Sequence, residues 1–327
     1  DLSKTPGGYN MYKVSVIKEK PGSSLQYHLF KPLMRIARWS QGNFPVDDVK
    51  AIVRFRQMAD RVANVMMRPP LDVKVVSEFV GGVAGDWLIP ANAPENPVMV
   101  FFHGGGIAFG WNNPLRREVA YLARFAGLRA FGVDYHLIPE YIYPAAHDEC
   151  YAVVQALVQQ GKKVVLVGES SGGVLALAAM LRAKAAGISQ PLLCALISPV
   201  VDYGFKDARF WQAEDAFAHP KFTAEAHKHY VAGNDTFLPD LGPIYADLNG
   251  IAPLYVMAGE HEILRGEVER LAEAAQRYHV PMETVFWPNV WHSWHALAPQ
   301  LPEATHALEM FGATIHQRLI KKIHDLA

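Results

Sequence analysis

A serine within a glycine-rich hexapeptide is the side chain in this sequence best placed for nucleophilic chemistry. Residues 168–173 read Gly-Glu-Ser-Ser-Gly-Gly, after an apolar run at 163–167 and before a helical pattern at 174–186. A G-x-S-x-G sequence between a strand and a helix is typical of a sharp turn that projects its serine hydroxyl above a sheet. The pattern predicts Ser170 as a nucleophile. A glycine-rich strand-to-helix connection without chemistry is the alternative.

The neighbouring Ser171 is a weaker candidate for the nucleophile. In that frame Glu169 would occupy a position that the tight turn reserves for glycine. We instead expect the backbone N–H of Ser171, at the positive end of the following helix, to stabilise negative charge on a reacting oxygen.

A serine hydroxyl is a poor nucleophile at neutral pH and needs a histidine base, which a carboxylate must orient. Residues 287–295 follow an apolar segment near the C-terminus and contain two histidines. Their position after this last predicted strand favours His292 as the base over His295. The alternative is that His292 is an ordinary surface histidine, since the chain contains fourteen histidines.

The carboxylate is expected in the loop at residues 259–264, which reads Gly-Glu-His-Glu-Ile-Leu after another apolar segment. Glu262 is the predicted acid and Glu260 its rival, and the sequence separates the two only in part. A solvated loop charge is the alternative for either residue.

A second glycine-rich motif follows the apolar run at 97–102. It consists of His103, Gly104, Gly105 and Gly106. Three consecutive glycines allow backbone amides to approach a substrate oxygen with no side chain in the way. We therefore interpret this loop as part of an oxyanion hole, with a flexible turn as the alternative.

Strand and helix patterns alternate through the chain, which predicts an α/β fold built on a mostly parallel sheet flanked by helices. Continuous apolar runs at 97–102, 130–134, 163–167, 191–198, 253–258 and 281–286 are typical of strands buried on both faces. The first seventy residues look helical, and residues 302–324 form the predicted last helix.

Residues 202–252 break this alternation because they carry no clear strand. A stretch of this length is improbable in a compact domain unless it is functional. We predict a cap insertion there, which packs with a helical cap segment at 1–70. Residues 71–201 and 253–327 would then form the catalytic core.

Composition excludes several classes of protein. The 327 residues carry a net charge of −1, so no basic surface for nucleic acid is indicated, and no apolar run is long enough to span a membrane. Cys150 and Cys194 lie in apolar segments and are predicted to be buried free thiols, which points weakly to a cytoplasmic location. Residues 1–4 do not resemble a signal peptide, and a removed leader stays open.

Together the glycine motifs resemble those of the hormone-sensitive-lipase-like esterases, also called bacterial family IV, of the α/β-hydrolase superfamily. The similarity runs from about residue 97 to the C-terminus. Supporting segments are Asp-Tyr-His-Leu-Ile-Pro-Glu at 134–140, Tyr-Pro-Ala-Ala at 143–146 and Tyr-Ala-Asp-Leu at 245–248.

The resemblance implies ester hydrolysis through an acyl-enzyme, with a Ser-His-acid triad, no cofactor and no metal. It also implies a helical cap over the substrate pocket, oxyanion donors at Gly105 and Gly106, and a preference for short to medium acyl chains. Family members often dimerise through the last strand, which predicts a possible homodimer with that strand, near 281–286, at the edge of the sheet.

Several residues depart from the family's pattern. Glu169 and Ser171 differ from the usual elbow residues Asp and Ala, and His136 stands where arginine is usual. Glu262 stands where aspartate is commoner, and Gly266 stands where a second aspartate often occurs.

Three alternative functions share parts of this pattern. A receptor on the same fold would have no need of His292, and an amide or carbamate hydrolase would use the same triad. A metal-dependent hydrolase is suggested by histidine pairs at 227 and 229 and at 292 and 295, but no H-E-x-x-H motif occurs. Five aromatic residues could line an apolar substrate pocket or simply pack in the core: Phe109, Trp111, Phe205, Trp211 and Phe217.

Overall fold

The computed structural model describes residues 12–17, 24–46 and 48–325. The strands are β1 Tyr12–Val16, β2 Val73–Val80, β3 Val83–Pro90, β4 Val98–Phe102, β5 Ala130–Val133, β6 Val164–Glu169, β7 Leu193–Ile197, β8 Leu254–Gly259 and β9 Met282–Trp287. The helices are α1 Leu25–Gly42, α2 Val49–Met66, α3 Asn113–Ala126, α4 Ala145–Gln159, α5 Ser171–Ala185, α6 Ala208–Gln212, α7 Pro220–Val231, α8 Arg265–Arg277 and α9 Pro302–Asp325.

The nine strands form one sheet in the order β1-β9-β8-β7-β6-β4-β5-β3-β2. Strand β3 pairs antiparallel with both β2 and β5, and every other pairing is parallel. Every residue of β4, β6, β7 and β8 is buried, as their continuous apolar runs predict. The predicted fold, a mostly parallel sheet flanked by helices, is confirmed.

Apolar residues of the central strands pack into two clusters, one on each face of the sheet. In β4, Val98, Val100 and Phe102 join one cluster, whereas Met99 and Phe101 join the other. Alternation with a period of two is what a strand produces when helices cover both faces. The parallel strands thus share a carboxyl edge, where ligands bind in sheets of this kind.

The N-terminal region differs from the purely helical prediction. Helices α1 and α2 are present, but β1 pairs in parallel with β9, with Val14 opposite Thr284. Strand β9 is therefore an interior strand, and the prediction that it forms the edge of the sheet is wrong. The homodimer stays a prediction, but β9 is not an edge strand through which it could form.

Three further expectations concern the cysteines, membrane-spanning helices and a signal peptide. Cys150 and Cys194 are buried and unbonded, as predicted. In the described part of the chain, no helix has both the length and the apolar character needed to cross a bilayer. The expectation about a signal peptide falls on residues 1–4, which lie outside the described residues.

Candidate active site

Ser170 sits in the sharp turn between β6 and α5. Its backbone has φ 50° and ψ −118°, a conformation that L-residues rarely adopt. The turn brings Gly172 so close to β4 that a Cβ atom there would lie 1.9 Å from the carbonyl oxygen of Phe102. Glycine is therefore required at position 172, and the strained turn holds the serine at the carboxyl edge of the sheet.

The structure places His292 against this serine. The loop after β9 carries the histidine, and its Nε2 lies 3.0 Å from Ser170 Oγ. On the opposite side of the ring, His292 Nδ1 lies 3.7 Å from Glu262 Oε1. The three side chains thus form a series in which the histidine stands between the hydroxyl and the carboxylate.

Glu262 is buried and its second oxygen is held firmly. Glu262 Oε2 accepts hydrogen bonds from the backbone N–H of Gly259 at 2.7 Å and from the hydroxyl of Ser198 at 2.6 Å. The rival Glu260 is partly exposed and lies 3.8 Å from the guanidinium of Arg265 and 4.0 Å from His261. The structure thus places Glu262, and not Glu260, beside the ring of His292.

Asp215 is a buried carboxylate that the sequence did not single out. It lies between α6 and α7, in the segment 202–252 that is predicted to be a cap insertion, and its Oδ2 accepts the backbone N–H groups of His292 at 2.9 Å and Ile263 at 3.0 Å. Its Oδ1 accepts the N–H groups of Phe217 and Ala218. One side chain therefore ties the predicted cap to the loops that carry the candidate base and acid.

Burial and neighbouring carboxylates act in opposite directions on His292. Burial favours the neutral ring, whereas the carboxylate of Glu262, and behind it those of Asp215 and Glu169, favour the protonated ring. The balance raises the pKa of His292 above its ordinary value of 6.5. The site therefore stabilises an imidazolium, the form that the ring adopts when it takes a proton from a hydroxyl.

The glycine loop after β4 lies beside Ser170. Gly105 and Gly106 line the same cavity as Ser170 and His292, whereas the N–H of Gly104 donates to Glu169 Oε2 at 3.1 Å. Gly105 has φ 101°, and a Cβ atom there would lie 2.8 Å from the carbonyl oxygen of Phe109. Only glycine fits that position.

His103 is a buried side chain that contacts the backbone of this loop. Its ring is buried and stacks on Tyr135 with centroids 4.1 Å apart, and its Nδ1 lies 2.7 Å from the Gly104 carbonyl oxygen. Burial lowers the pKa of His103 to about 4, so the ring is neutral and Nδ1–H donates to that carbonyl. His103 thus helps to fix the conformation of the glycine loop.

His295, the alternative base, lies in a buried ionic cluster behind the serine. Its Nε2 is 3.3 Å from Glu118 Oε1 and 3.4 Å from Glu169 Oε1. Although burial opposes the charged ring, the two carboxylates raise the pKa of His295 to about 10. Because Glu169 also accepts from the N–H of Gly104 and the hydroxyl of Ser293, the cluster connects α3, the glycine loop and the histidine loop.

The same three side chains are also the grouping in the described residues that could geometrically hold a metal. Their potential ligand atoms lie within 4.8 Å of one another. His295 Nε2 lies within ion-pair distance of both carboxylates, and the histidine pair at 227 and 229 forms no such grouping in the part of the chain that the structure describes.

We expect His295→Gln to destabilise the fold by about 3–5 kcal/mol, because it leaves two buried carboxylates without their cation. The folded pKa of about 10 exceeds the ordinary 6.5, so the stabilisation is complete below 6.5 and is lost as pH rises toward 10. Urea unfolding at about pH 6 and about pH 9 should show the difference from wild type shrinking at the higher pH. The exposed His261 supplies the control His261→Gln; a His295→Gln loss no larger than this control's would refute the ionic role.

A cavity of about 370 Å³ opens above Ser170. Helices α1, α2 and α7, the glycine loop and the histidine loop form its walls. The lining residues are Ala37, Ser40, Gln41, Phe44, Phe55, Ala59, Gly105, Gly106, Phe109, Ser170, Phe217, Ala218, Phe222, Thr223, Ala226, His227, His292 and Ser293.

Two of the five aromatic residues predicted for the pocket, Phe109 and Phe217, lie on this wall. The other three do not line it. The indole N–H of Trp111 donates to Asp86 at 2.6 Å, and Phe205 is buried against Phe210 with ring centroids 4.3 Å apart. Trp211 is 52% exposed and its indole donates to the carbonyl oxygen of Phe205.

The aromatic residues that replace them come from segments outside the predicted core. Phe44 and Phe55 come from the N-terminal helical region and Phe222 from α7. Phe44 lies 5.3 Å from Phe55 and 5.7 Å from Phe222, measured between ring centroids. These contacts join α2, the residues after α1 and α7 on the wall of the cavity above the serine.

Comparison with known proteins agrees with this architecture. The family described as alpha/beta hydrolase fold matches residues 99–296. An acetyl-hydrolase of Streptomyces hygroscopicus is 31% identical over 75% of this chain and 82% of its own length. An esterase of Acinetobacter venetianus strain RAG-1 is 30% identical over 77% of this chain and 85% of its own.

Solved structures show the same relationship. The esterase EstE5 superposes with a TM-score of 0.83 at 26% identity, covering 90% of this chain and 99% of its own. A hormone-sensitive lipase from a metagenome library gives a TM-score of 0.80 at 27% identity, covering 89% of this chain and 98% of its own.

The chain therefore belongs to the α/β-hydrolase family and, within it, to the group of hormone-sensitive-lipase-like esterases. It is a carboxylic ester hydrolase, as the sequence predicts.

Proposed function

We propose that this enzyme hydrolyses esters of short to medium acyl chain through an acyl-enzyme formed on Ser170. The proposal rests chiefly on one observation, the 3.0 Å between Ser170 Oγ and His292 Nε2. At that distance a neutral imidazole can take the hydroxyl proton as the oxygen attacks the ester carbonyl carbon.

The remaining groups have distinct roles in this proposal. Glu262 holds the ring so that Nε2 faces the serine, and its charge stabilises the imidazolium. The amides of Gly105, Gly106 and Ser171 donate to the oxyanion of the tetrahedral intermediate, and in the described residues none of the three is hydrogen-bonded to a protein acceptor.

The two half-reactions then follow. Collapse of the first intermediate breaks the C–O bond to the alcohol, which departs with the proton from His292. The acyl group stays bound to Ser170. Water, deprotonated by the same imidazole, attacks the acyl carbon, and the acid departs as the proton returns to Ser170.

The size of the cavity supports the proposed acyl range. Its volume of about 370 Å³ lies near the lower end of the roughly 300–1,000 Å³ typical of small-molecule sites. Phe109, Phe217 and Phe222 provide apolar wall for an acyl chain but little length for a long one.

A series of p-nitrophenyl esters from acetyl to palmitoyl tests the reaction and the acyl range together. We expect kcat/KM to peak at a short or medium chain and to fall steeply for palmitoyl. A serine-directed sulfonyl fluoride should block turnover and add its mass to the peptide that contains Ser170. Binding of esters without turnover, or turnover that the inhibitor leaves intact, would contradict the proposed mechanism.

Activity should fall on acidification as His292 takes up a proton and ceases to accept one from Ser170. Because the pKa of His292 is raised, the midpoint of the fall in kcat/KM should lie above pH 6.5. A pH profile of a soluble ester, with circular dichroism to show that the fold persists, measures it. A rate that stays flat through this range would exclude His292 as the base.

A further inference from the structure

Helix α1 exposes a continuous apolar stripe to solvent. The stripe residues recur every three or four positions, which places them on one side of the helix. They are Leu25, Leu29, Leu33 and Ile36, with Trp39 beside them, and each is between 54% and 73% exposed. Apolar surface of this extent marks an interaction site on a soluble domain.

Helix α2 repeats the arrangement on its own outer side. Met58, Val62 and Val65 recur at helical spacing and are 57%, 57% and 73% exposed. We refer to these residues together with the α1 stripe as the cap stripes.

Basic residues flank both stripes. Helices α1 and α2 contain seven lysines and arginines and a single acidic residue, Asp60, whereas the whole chain has a net charge of −1. Arg35, Lys50, Arg54 and Arg61 are exposed, and none of them has an ion-pair partner in the part of the chain that the structure describes. The positive charge is therefore available to a partner.

This combination selects one occupant. Amphipathic helices with Leu and Trp on one side and Lys or Arg beside them rest in the interface of anionic membranes. A second copy of the chain fits less well, because a symmetric contact would bring the basic flanks of the two copies together.

We propose that the cap stripes dock this enzyme peripherally on an anionic phospholipid surface. The same two helices form walls of the cavity above Ser170, through Ala37 and Gln41 of α1 and Phe55 and Ala59 of α2. Docking through their outer sides would hold the cavity close to esters dissolved in the lipid.

Sedimentation of the full chain with vesicles tests this directly and is independent of ester hydrolysis. Wild type should bind mixed phosphatidylglycerol–phosphatidylcholine vesicles at least about tenfold more tightly than phosphatidylcholine alone, and added salt should weaken the binding. The double variants Leu29→Gln/Ile36→Gln and Arg35→Glu/Arg61→Glu should each lose at least about tenfold in affinity.

Matched controls come from other exposed positions. The double variants Leu71→Gln/Ile320→Gln and Lys74→Glu/Arg277→Glu make equally large changes at exposed positions outside the cap stripes and should bind as wild type does. Thermal unfolding of every variant verifies the fold. Wild type that ignores anionic vesicles, or stripe variants that bind like the controls, would overturn the proposal. A dimer that Leu29→Gln/Ile36→Gln dissociates, without vesicle binding by wild type, would assign the surface to a second copy.

Discussion

Ser170→Ala should lower kcat/KM for a p-nitrophenyl ester by about 10⁴-fold or more, because loss of a serine nucleophile leaves only binding and oxyanion stabilisation. The substitution removes one buried oxygen whose partner, His292 Nε2, keeps access to the cavity. We therefore expect the variant to fold and to bind substrate with little change. Initial rates with active-site titration of the wild type measure the effect.

A second substitution at this position separates catalysis from stability. The backbone at Ser170 has φ 50°, where a side chain costs about 1–3 kcal/mol. Ser170→Gly should be as inactive as Ser170→Ala but more stable than it, since glycine relieves the strain. Equal stability of the two variants would show that the turn carries no such strain, and turnover above background in either would refute the nucleophile.

Features that depend on local backbone constraints could be predicted from the sequence. The elbow requires glycine at position 168, where a Cβ atom would lie 2.4 Å from the carbonyl oxygen of Gly172, four residues further along the turn. Strands buried on both faces require uninterrupted apolar runs, so the sequence predicts β4, β6, β7 and β8. In both cases the constraint acts within a few consecutive residues.

Features that depend on distant partners could not be predicted. Strand β1 has five residues, of which Val14 and Val16 are exposed, and within the described residues it pairs with β9 alone, about 270 residues away. Asp215 likewise resembles any loop aspartate until the fold brings the amides of Ile263 and His292 to it. In neither case do the adjacent residues in the sequence indicate the distant partner.

Aromatic residues show the same limit at the cavity. Trp111 and Phe109 are two positions apart in one loop, yet Phe109 lines the cavity whereas Trp111 packs over Gly132 and donates to Asp86. Composition predicts that such rings are buried, but the cavity or core that receives them is set by the tertiary fold.

Glu262→Gln should lower kcat/KM by about 10³-fold or more, and the geometry around the carboxylate gives the reason. The N–H of Gly259 can only donate, so the glutamine must keep its carbonyl oxygen at the Oε2 position. Its NH₂ group then occupies the Oε1 position and faces His292 Nδ1. A donor there favours the tautomer with hydrogen on Nε2, which cannot accept the proton of Ser170.

Glu260→Gln is the matched control, because it makes the same change two residues away on a partly exposed side chain paired with Arg265. We expect its kcat/KM to stay within about twofold of wild type, as surface ion pairs contribute little. The pH profile supplies a second readout. Loss of the Glu262 charge lowers the pKa of His292, so the residual activity of Glu262→Gln should persist to lower pH than wild type. If Glu260→Gln lost the greater share of activity, or if the profile of Glu262→Gln did not move, the acid would have to be reassigned.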